Sequence, residues 1–220
     1  MLTIKDITKT YRAGGKTIYA LKGIDLTVNK GELLAVIGKS GCGKSTLLHL
    51  VAGLIRPTEG VIDYDGEAVT GKSREERLRF RMEHIGIILQ DFSLLNDRTI
   101  CANVELPLKI RGVKKAERRE LAESCLKKLG IEELSLRYPG QVSGGQRQRA
   151  AIARALVCDA DIILADEPTG ALDEENGAQV VGILRDIAHR GKTVIMATHD
   201  KNAMQKCDRC IMLDHGELCE

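Results

Sequence analysis

Residues 33–37, Leu-Leu-Ala-Val-Ile, form an unbroken apolar run. The octapeptide Gly38-Lys39-Ser40-Gly41-Cys42-Gly43-Lys44-Ser45 follows it, and then an apolar stretch carrying Leu47, Leu48 and Val51. The run reads as a strand buried on both faces and the last stretch as a helix. The octapeptide between them fits G-x-x-x-x-G-K-[ST]. Glycines at that spacing let backbone N–H groups close around phosphate oxygens, and the helix start adds unpaired donors and the positive end of its dipole. Lys44 is placed to reach the β- and γ-phosphates of a nucleotide, and the Ser45 hydroxyl to hold Mg²⁺. A chance glycine turn would lack those flanks.

Three more short runs have the same buried character: Ile85 to Leu89, Ile162 to Ala165, and Val194 to Thr198. Helical patterns separate them, for example Val180, Leu184 and Ile187 on one face with a stop at His189-Arg190-Gly191. Buried strands alternating with helices predict a mainly parallel α/β sheet. The first 30 residues differ. Leu2, Ile4 and Ile7, then Ile24, Leu26 and Val28, alternate about a turn at Gly14-Gly15. With Val61 to Tyr64 they predict a small antiparallel layer. Residues 91–142 show charged helical segments and no buried-type strand. They read as a helical lobe inserted into a core made of 1–90 and 143–220. In that lobe Lys114 to Leu129 is expected to bury Leu121, Cys125 and Leu129. The basic block Lys114 to Arg119 is explained by a solvated helix face.

Composition narrows the partners. Thirty-three Lys plus Arg against 31 Asp plus Glu leave a net charge of +2, and there are two Phe, four Tyr and no Trp. Neither balance nor aromatics suit a nucleic-acid binder. The longest apolar run, Leu47 to Ile55, is too short to span a membrane. Seven cysteines without an export signal read as reduced thiols, so a cytoplasmic location is expected. Cys207 and Cys210 have CxxC spacing, but no second pair is evident to complete a zinc site. They are expected at a helix end entering the last strand, Ile211 to Leu213. For Cys42, between two glycines at a helix start, two readings stand open: an activated thiolate, or an inert turn residue.

Two further segments carry chemistry. Ile162-Ile163-Leu164-Ala165 ends in Asp166-Glu167. An acid at that strand end fits a Mg²⁺ partner, and the next one can polarise an attacking water. Ser143-Gly144-Gly145-Gln146 opens the small-residue helix that runs to about 157. Ser143 and Gln146 have capping-box spacing. A cap needs no glycine pair, so Gly144-Gly145 are expected to let a phosphate approach the backbone. Two phosphate-seeking helix starts imply one shared site, built within a chain or between two chains.

With these motifs in order the chain resembles, over essentially its whole length, the ATP-binding cassette (ABC) ATPases. The most specific element is the signature Ser143-Gly144-Gly145-Gln146, preceded by Val142 where the family usually has Leu. The resemblance implies a P-loop NTPase core and further roles. Tyr11 would stack on adenine and Thr46 contact the α-phosphate. Gln90 would link Mg²⁺ to the helical lobe, with Ser45 and Asp166 as the other metal ligands. Gly170-Ala171-Leu172-Asp173 would cross to the partner chain, and His199 would contact the γ-phosphate. The implied mechanism sandwiches two ATP between two copies, Lys44 of one facing Ser143 of the other. Glu167 works on the water, and the copies part after hydrolysis to drive a membrane permease from its cytoplasmic face.

Gln90 to Leu95, Asn103 to Leu108 and Glu167 to Asp173 are similar to the macrolide-export and lipoprotein-release branch, which includes antimicrobial-peptide exporters. Export or extrusion is therefore the first expectation. Asp97-Arg98-Thr99 also resembles the cell-division ABC ATPase, making signalling second, with an iron–sulfur-assembly ATPase third. Only 21 residues follow His199, which argues against an appended regulatory domain. A P-loop kinase would leave Ser143 to Gln146 without a purpose.

Overall fold

A computed structural model describes residues 1–219. Two sheets organise it. The first is antiparallel, ordered β2-β1-β4-β5, from β1 (Leu2–Ala13), β2 (Lys16–Val28), β4 (Glu59–Tyr64) and β5 (Glu67–Ala68). The second has order β10-β9-β3-β8-β7-β6. It comprises β3 (Leu33–Ile37), β6 (Ile85–Ile88), β7 (Ile162–Asp166), β8 (Thr193–Thr198), β9 (Arg209–Asp214) and β10 (Glu217–Cys219). All its pairings are parallel except the β9–β10 hairpin at the edge, so the mainly parallel α/β sheet and the antiparallel layer are both present. The C-terminal strand expected at Ile211 to Leu213 is thus followed by one more.

The period of two along the parallel strands splits the core. Leu34, Val36, Ile162, Leu164, Ile195 and Ala197 face the antiparallel sheet and α1 (Lys44–Val51). Leu33, Ile163, Ala165, Val194 and Met196 face α7 (Glu174–His189), which buries Val180, Leu184 and Ile187 as its sequence spacing predicts. A third apolar cluster lies among α3 (Ile100–Val104), α4 (Leu106–Ile110), α5 (Lys115–Lys128) and α6 (Gly144–Leu156). Helix α6 joins the two bodies. Ala150 and Ala153 belong to that helical cluster, Ile152 and Ala155 to the sheet side. A helix buried on two sides is helped by small residues on both, and the alanines at 150, 151, 153 and 155 supply them.

One expectation needs revision, and one helix carries no sequence reading above. In α5 the fully buried residues are Ala122 and Leu126; Cys125 and Leu129 pack part-buried against the helical cluster as expected, while Leu121 is 40% exposed. The helix is rolled by one residue because Arg118 Nε bonds Glu105 Oε2 at 2.9 Å and Ala122 permits close approach. Helix α2 (Arg74–His84) has little apolar pattern and buries only Phe80. Its signal is the capping box, in which the Ser73 side chain accepts from Glu76 N–H and the Glu76 carboxylate from Ser73 N–H.

Candidate active site

Parallel strands end at a common edge, and loops leaving that edge form the usual ligand crevice of open α/β sheets. The register does this here. Ile37 pairs with Thr198, Asp166 with Ala197, and Ile88 with Ala165. The segments that follow carry the glycine loop, Glu167, His199 and Gln90. They surround a cavity of about 880 Å³ lined by Lys44, Ser45, Gln90, Asp166, Glu167 and His199, together with Gly38, Ser40, Gly41, Gly43 and Thr46. Ala20, Lys39, Leu89, Asp91 and Ser93, which no motif singled out, also line it.

The loop is shaped for an anion. Gly43, at φ 116°, is the N-cap of α1, and no side chain caps that helix among the described residues. Ser143 and Asp173, by contrast, cap α6 and α7 through their side chains. The first N–H groups of α1 therefore keep their donors for a ligand. A Cβ on Gly43 would lie 2.5 Å from Ala20 O, and one on Gly38 would lie 2.2 Å from Leu213 O. Neither position has room for a side chain.

Lys44, only 8% exposed, is tethered above its own loop: Nζ donates to Gly38 O at 2.8 Å and Lys39 O at 3.3 Å. Its third neighbour is Glu167 Oε1 at 3.7 Å. Glu167 Oε2 lies 2.9 Å from His199 Nδ1. Glu167 holds φ at 48°, an unusual place for a side chain with a Cβ, and its N–H donates to Ala197 O at 2.9 Å. Asp166 Oδ1 is buried at the cavity wall and meets no hydrogen-bond partner among the described residues. A hard dication beside the Ser45 hydroxyl and the Gln90 amide would satisfy that oxygen, so this donor set fits Mg²⁺.

Cys42 is buried in the core cluster, 7% exposed, with its sulfur turned toward Gly38 and away from the cavity. The thiolate reading is therefore set aside; the residue fills the turn. Tyr11 does not line the cavity. It pairs in register with Ile18, two residues along β2 from Ala20 and just beyond the irregularity between Lys9 and Thr10, and both Tyr11 and Ile18 are about half exposed.

Ser143, Gly144, Gly145, Gln146 and Asp173 also lie outside the cavity. Ser143 Oγ accepts from Gln146 N–H at 3.3 Å, and Gln146 Oε1 accepts from Ser143 N–H at 2.9 Å. Within one chain Gly145 is required by Asn176, whose Oδ1 lies 2.2 Å from where a Cβ would stand. Gly145 thus has a packing reason of its own within the chain, whereas Gly144 has only ordinary contacts, Leu172 Cδ2 at 3.4 Å and Ala171 O at 3.8 Å from where its Cβ would stand.

Three α6 residues hold the loops of the cavity, and none was marked by a motif. Arg154 donates to Ser93 O and, at 3.0 Å, to Phe92 O. Arg147 lies over the Phe92 ring at 5.2 Å. Gln148 Nε2 donates to Pro168 O at 2.8 Å, directly after Glu167. Phe92 and Ser93 have φ of 61° and 46°, so the grip fixes a strained segment two residues beyond Gln90. The CxxC pair is also explained locally. Cys207 Sγ lies 3.3 Å from Ala203 O and Cys210 Sγ 3.5 Å from Met204 O, and burial pushes the Cys207 thiol up to about 12.

The model of the family described as "ABC transporter" matches residues 21–170. A methionine import ATP-binding protein MetN of Bordetella avium is 45% identical over 222 residues, all of this chain but 61% of that protein. The macrolide export ATP-binding/permease protein MacB of Bartonella henselae is 41% identical over 218 residues, 99% of this chain and 33% of that one. The chain thus spans less than two thirds of either relative. Among solved structures, the ATP-binding cassette MJ0796, a dimer in a post-hydrolysis state bound to ADP and Pi, superposes with a TM-score of 0.92. It is 40% identical, covering all of this chain and 97% of that one. By its motifs, its fold and these matches, the chain belongs to the ABC transporter ATP-binding family.

Proposed function

We propose that this chain is an ATPase subunit that powers a separate membrane permease. Two copies enclose two ATP molecules, each between the loop at Lys44 of one copy and the signature at Ser143 of the other. The observation that carries the reading is the strand edge, where Lys44, Asp166, Glu167 and His199 line one cavity above an uncapped helix start, and one buried Asp166 oxygen has no hydrogen-bond partner among the described residues. Lys44 and the N–H groups from Ser40 to Thr46 hold the phosphates, and Tyr11 offers its ring to the base. Glu167 takes the proton of the attacking water, and His199, 2.9 Å from Glu167 Oε2, contacts the γ-phosphate. Ser45, Asp166 and Gln90 would hold Mg²⁺, which when bound would neutralise phosphate charge. Phosphate leaving removes the bridge between the copies, because the closed state is the one that binds ATP best.

Coupling to the membrane runs through the inserted lobe, residues 91–142. No helix among the described residues is long and apolar enough to cross a membrane. In this reading the chain acts on its permease from the cytoplasmic face. A groove of about 250 Å³ between the lobe and the core is lined by Met82, Ile85, Pro107, Ile110 and Arg154, with Ile110 64% exposed. A permease segment seated there would press on Arg154, which grips the loop that carries Gln90.

Export is the direction favoured by the segments Gln90 to Leu95 and Asn103 to Leu108. Import is the second reading, because the MetN relative matches all of this chain at 45% identity. The first test is purified protein with γ-labelled Mg-ATP. Label released as phosphate supports the reading; label transferred to an organic acceptor makes the chain a kinase. A deletion strain then separates the directions, lost macrolide resistance favouring export and lost methionine uptake favouring import.

A further inference from the structure

Gly145 is the second residue of helix α6 and is buried there, so the absence of a side chain needs a cause. That cause is Asn176. A Cβ on Gly145 would stand 2.2 Å from Asn176 Oδ1 and 2.7 Å from its Cγ. Asn176 cannot swing away, because its other end is committed. Its N–H donates to Asp173 Oδ1 at 2.8 Å, and its Nδ2 donates to Oδ1 at 2.9 Å and to Oδ2 at 2.8 Å. With Nδ2 on Asp173, the oxygen is the atom turned to the start of α6, where the helix dipole is positive. Leu172 Cδ2 and Ala171 O complete the contact, 3.4 and 3.8 Å from a Cβ on Gly144. Neither Gly145 nor Asn176 lines the cavity. The joined segments do reach the surface, where Ser143, Ala171 and Asp173 are exposed.

We propose that Asn176 is a positioning residue that locks the signature segment, Ser143 to Gln146, and the crossing segment, Gly170 to Asp173, into one unit. The two then seat on the second copy together. The inference rests on the two-copy reading above. Its consequence is that phosphate sensed by Ser143 and contact made by the crossing segment form one event, with no freedom for either loop to close alone.

The test uses the full chain with Glu167→Gln as parent, read by ATP-dependent dimerisation in sedimentation. Asn176→Ala should weaken dimerisation about 5–150-fold, the usual range for a coupling between linked sites. ATP binding by the dilute single chain and the unfolding temperature should stay near the parent's, which a merely structural role would not allow. Gly145→Ala should weaken dimerisation in the same way. Adding Asn176→Ser, which clears space for the new methyl, should leave the double variant no worse than Gly145→Ala alone. Should Gly145→Ala fail to fold, Asn176→Ala carries the test, since it adds no atom. Dimerisation of Asn176→Ala equal to the parent's, or a double variant losing the product of both single effects, overturns the proposal. A parent that stays monomeric with ATP overturns the two-copy reading and this inference with it.

Discussion

Replacing Glu167 by Gln isolates one property of the site. The side chain keeps its volume, its backbone at φ 48° and its reach to His199 Nδ1, 2.9 Å from Oε2. It loses the negative charge that takes a proton from water. A positioned general base is worth about 10²–10⁴ in rate, or roughly 2.7–5.4 kcal/mol of barrier at 1.36 kcal/mol per tenfold. Stability changes far less. Lys44 loses a carboxylate at 3.7 Å but keeps Gly38 O at 2.8 Å and Lys39 O at 3.3 Å. The loss is about 1–2 kcal/mol at most, a Tm shift of roughly 2–8 °C for a chain of this size. Glu167→Gly is the control. It removes the carboxylate and also the left-handed strain, about 1–2 kcal/mol for a residue with a Cβ. It should therefore be as inactive as the Gln variant yet unfold no earlier. The assay is single-turnover hydrolysis of γ-labelled ATP beside equilibrium binding of a fluorescent nucleotide at the same Mg²⁺ concentration. Hydrolysis within about tenfold of wild type, or binding lost in parallel with hydrolysis, would refute the reasoning.

Asp166→Ala should raise the Mg²⁺ needed for half-maximal ATPase activity by about 10–100-fold, and a Mg²⁺ titration that superposes on the wild type would remove that oxygen from the metal site. The Asp173 carboxyl is held below the usual carboxylate range by the backbone N–H and side-chain amide of Asn176. A depressed value stabilises the fold above the unfolded-chain pKa and is lost as pH falls through the folded one. The Tm gap between wild type and Asp173→Ala should thus be full at neutral pH and close through the acid range; a gap independent of pH refutes this. Under native conditions a thiol reagent should react fast with Cys210 and Cys219, which are exposed, and not with Cys42 or Cys101, which are buried. Rapid labelling of Cys42 that Mg-ATP blocks would restore it as a site thiol.

The strand edge was legible because its parts are local. An apolar run, a glycine loop and a helix start follow one another within 33–51, and the acids of 166–167 end a run of their own. The capping box at Ser143 and Gln146 is local too, three residues apart. What was misread or left open depends on neighbours far along the chain. The roll of α5 is set by Arg118 on Glu105, and the orientation of Cys42 by the core beside Leu213. Arg154, Arg147 and Gln148 lay unmarked because an arginine or glutamine on a helix has no periodic signature. Their partners, Phe92, Ser93 and Pro168, are separated from them by tens of residues.

The sequence by itself determined which segments become buried strands, where the phosphate-binding backbone lies, and the order of the charged groups, since hydrophobic period and backbone chemistry act within a few residues. The tertiary structure alone decided that one parallel edge brings Lys44, Gln90, Glu167 and His199 to a single cavity. It also decided that Gly145 answers to Asn176, 31 positions further along the chain. Those outcomes come from close packing, in which a contact exists only once both surfaces have been brought together.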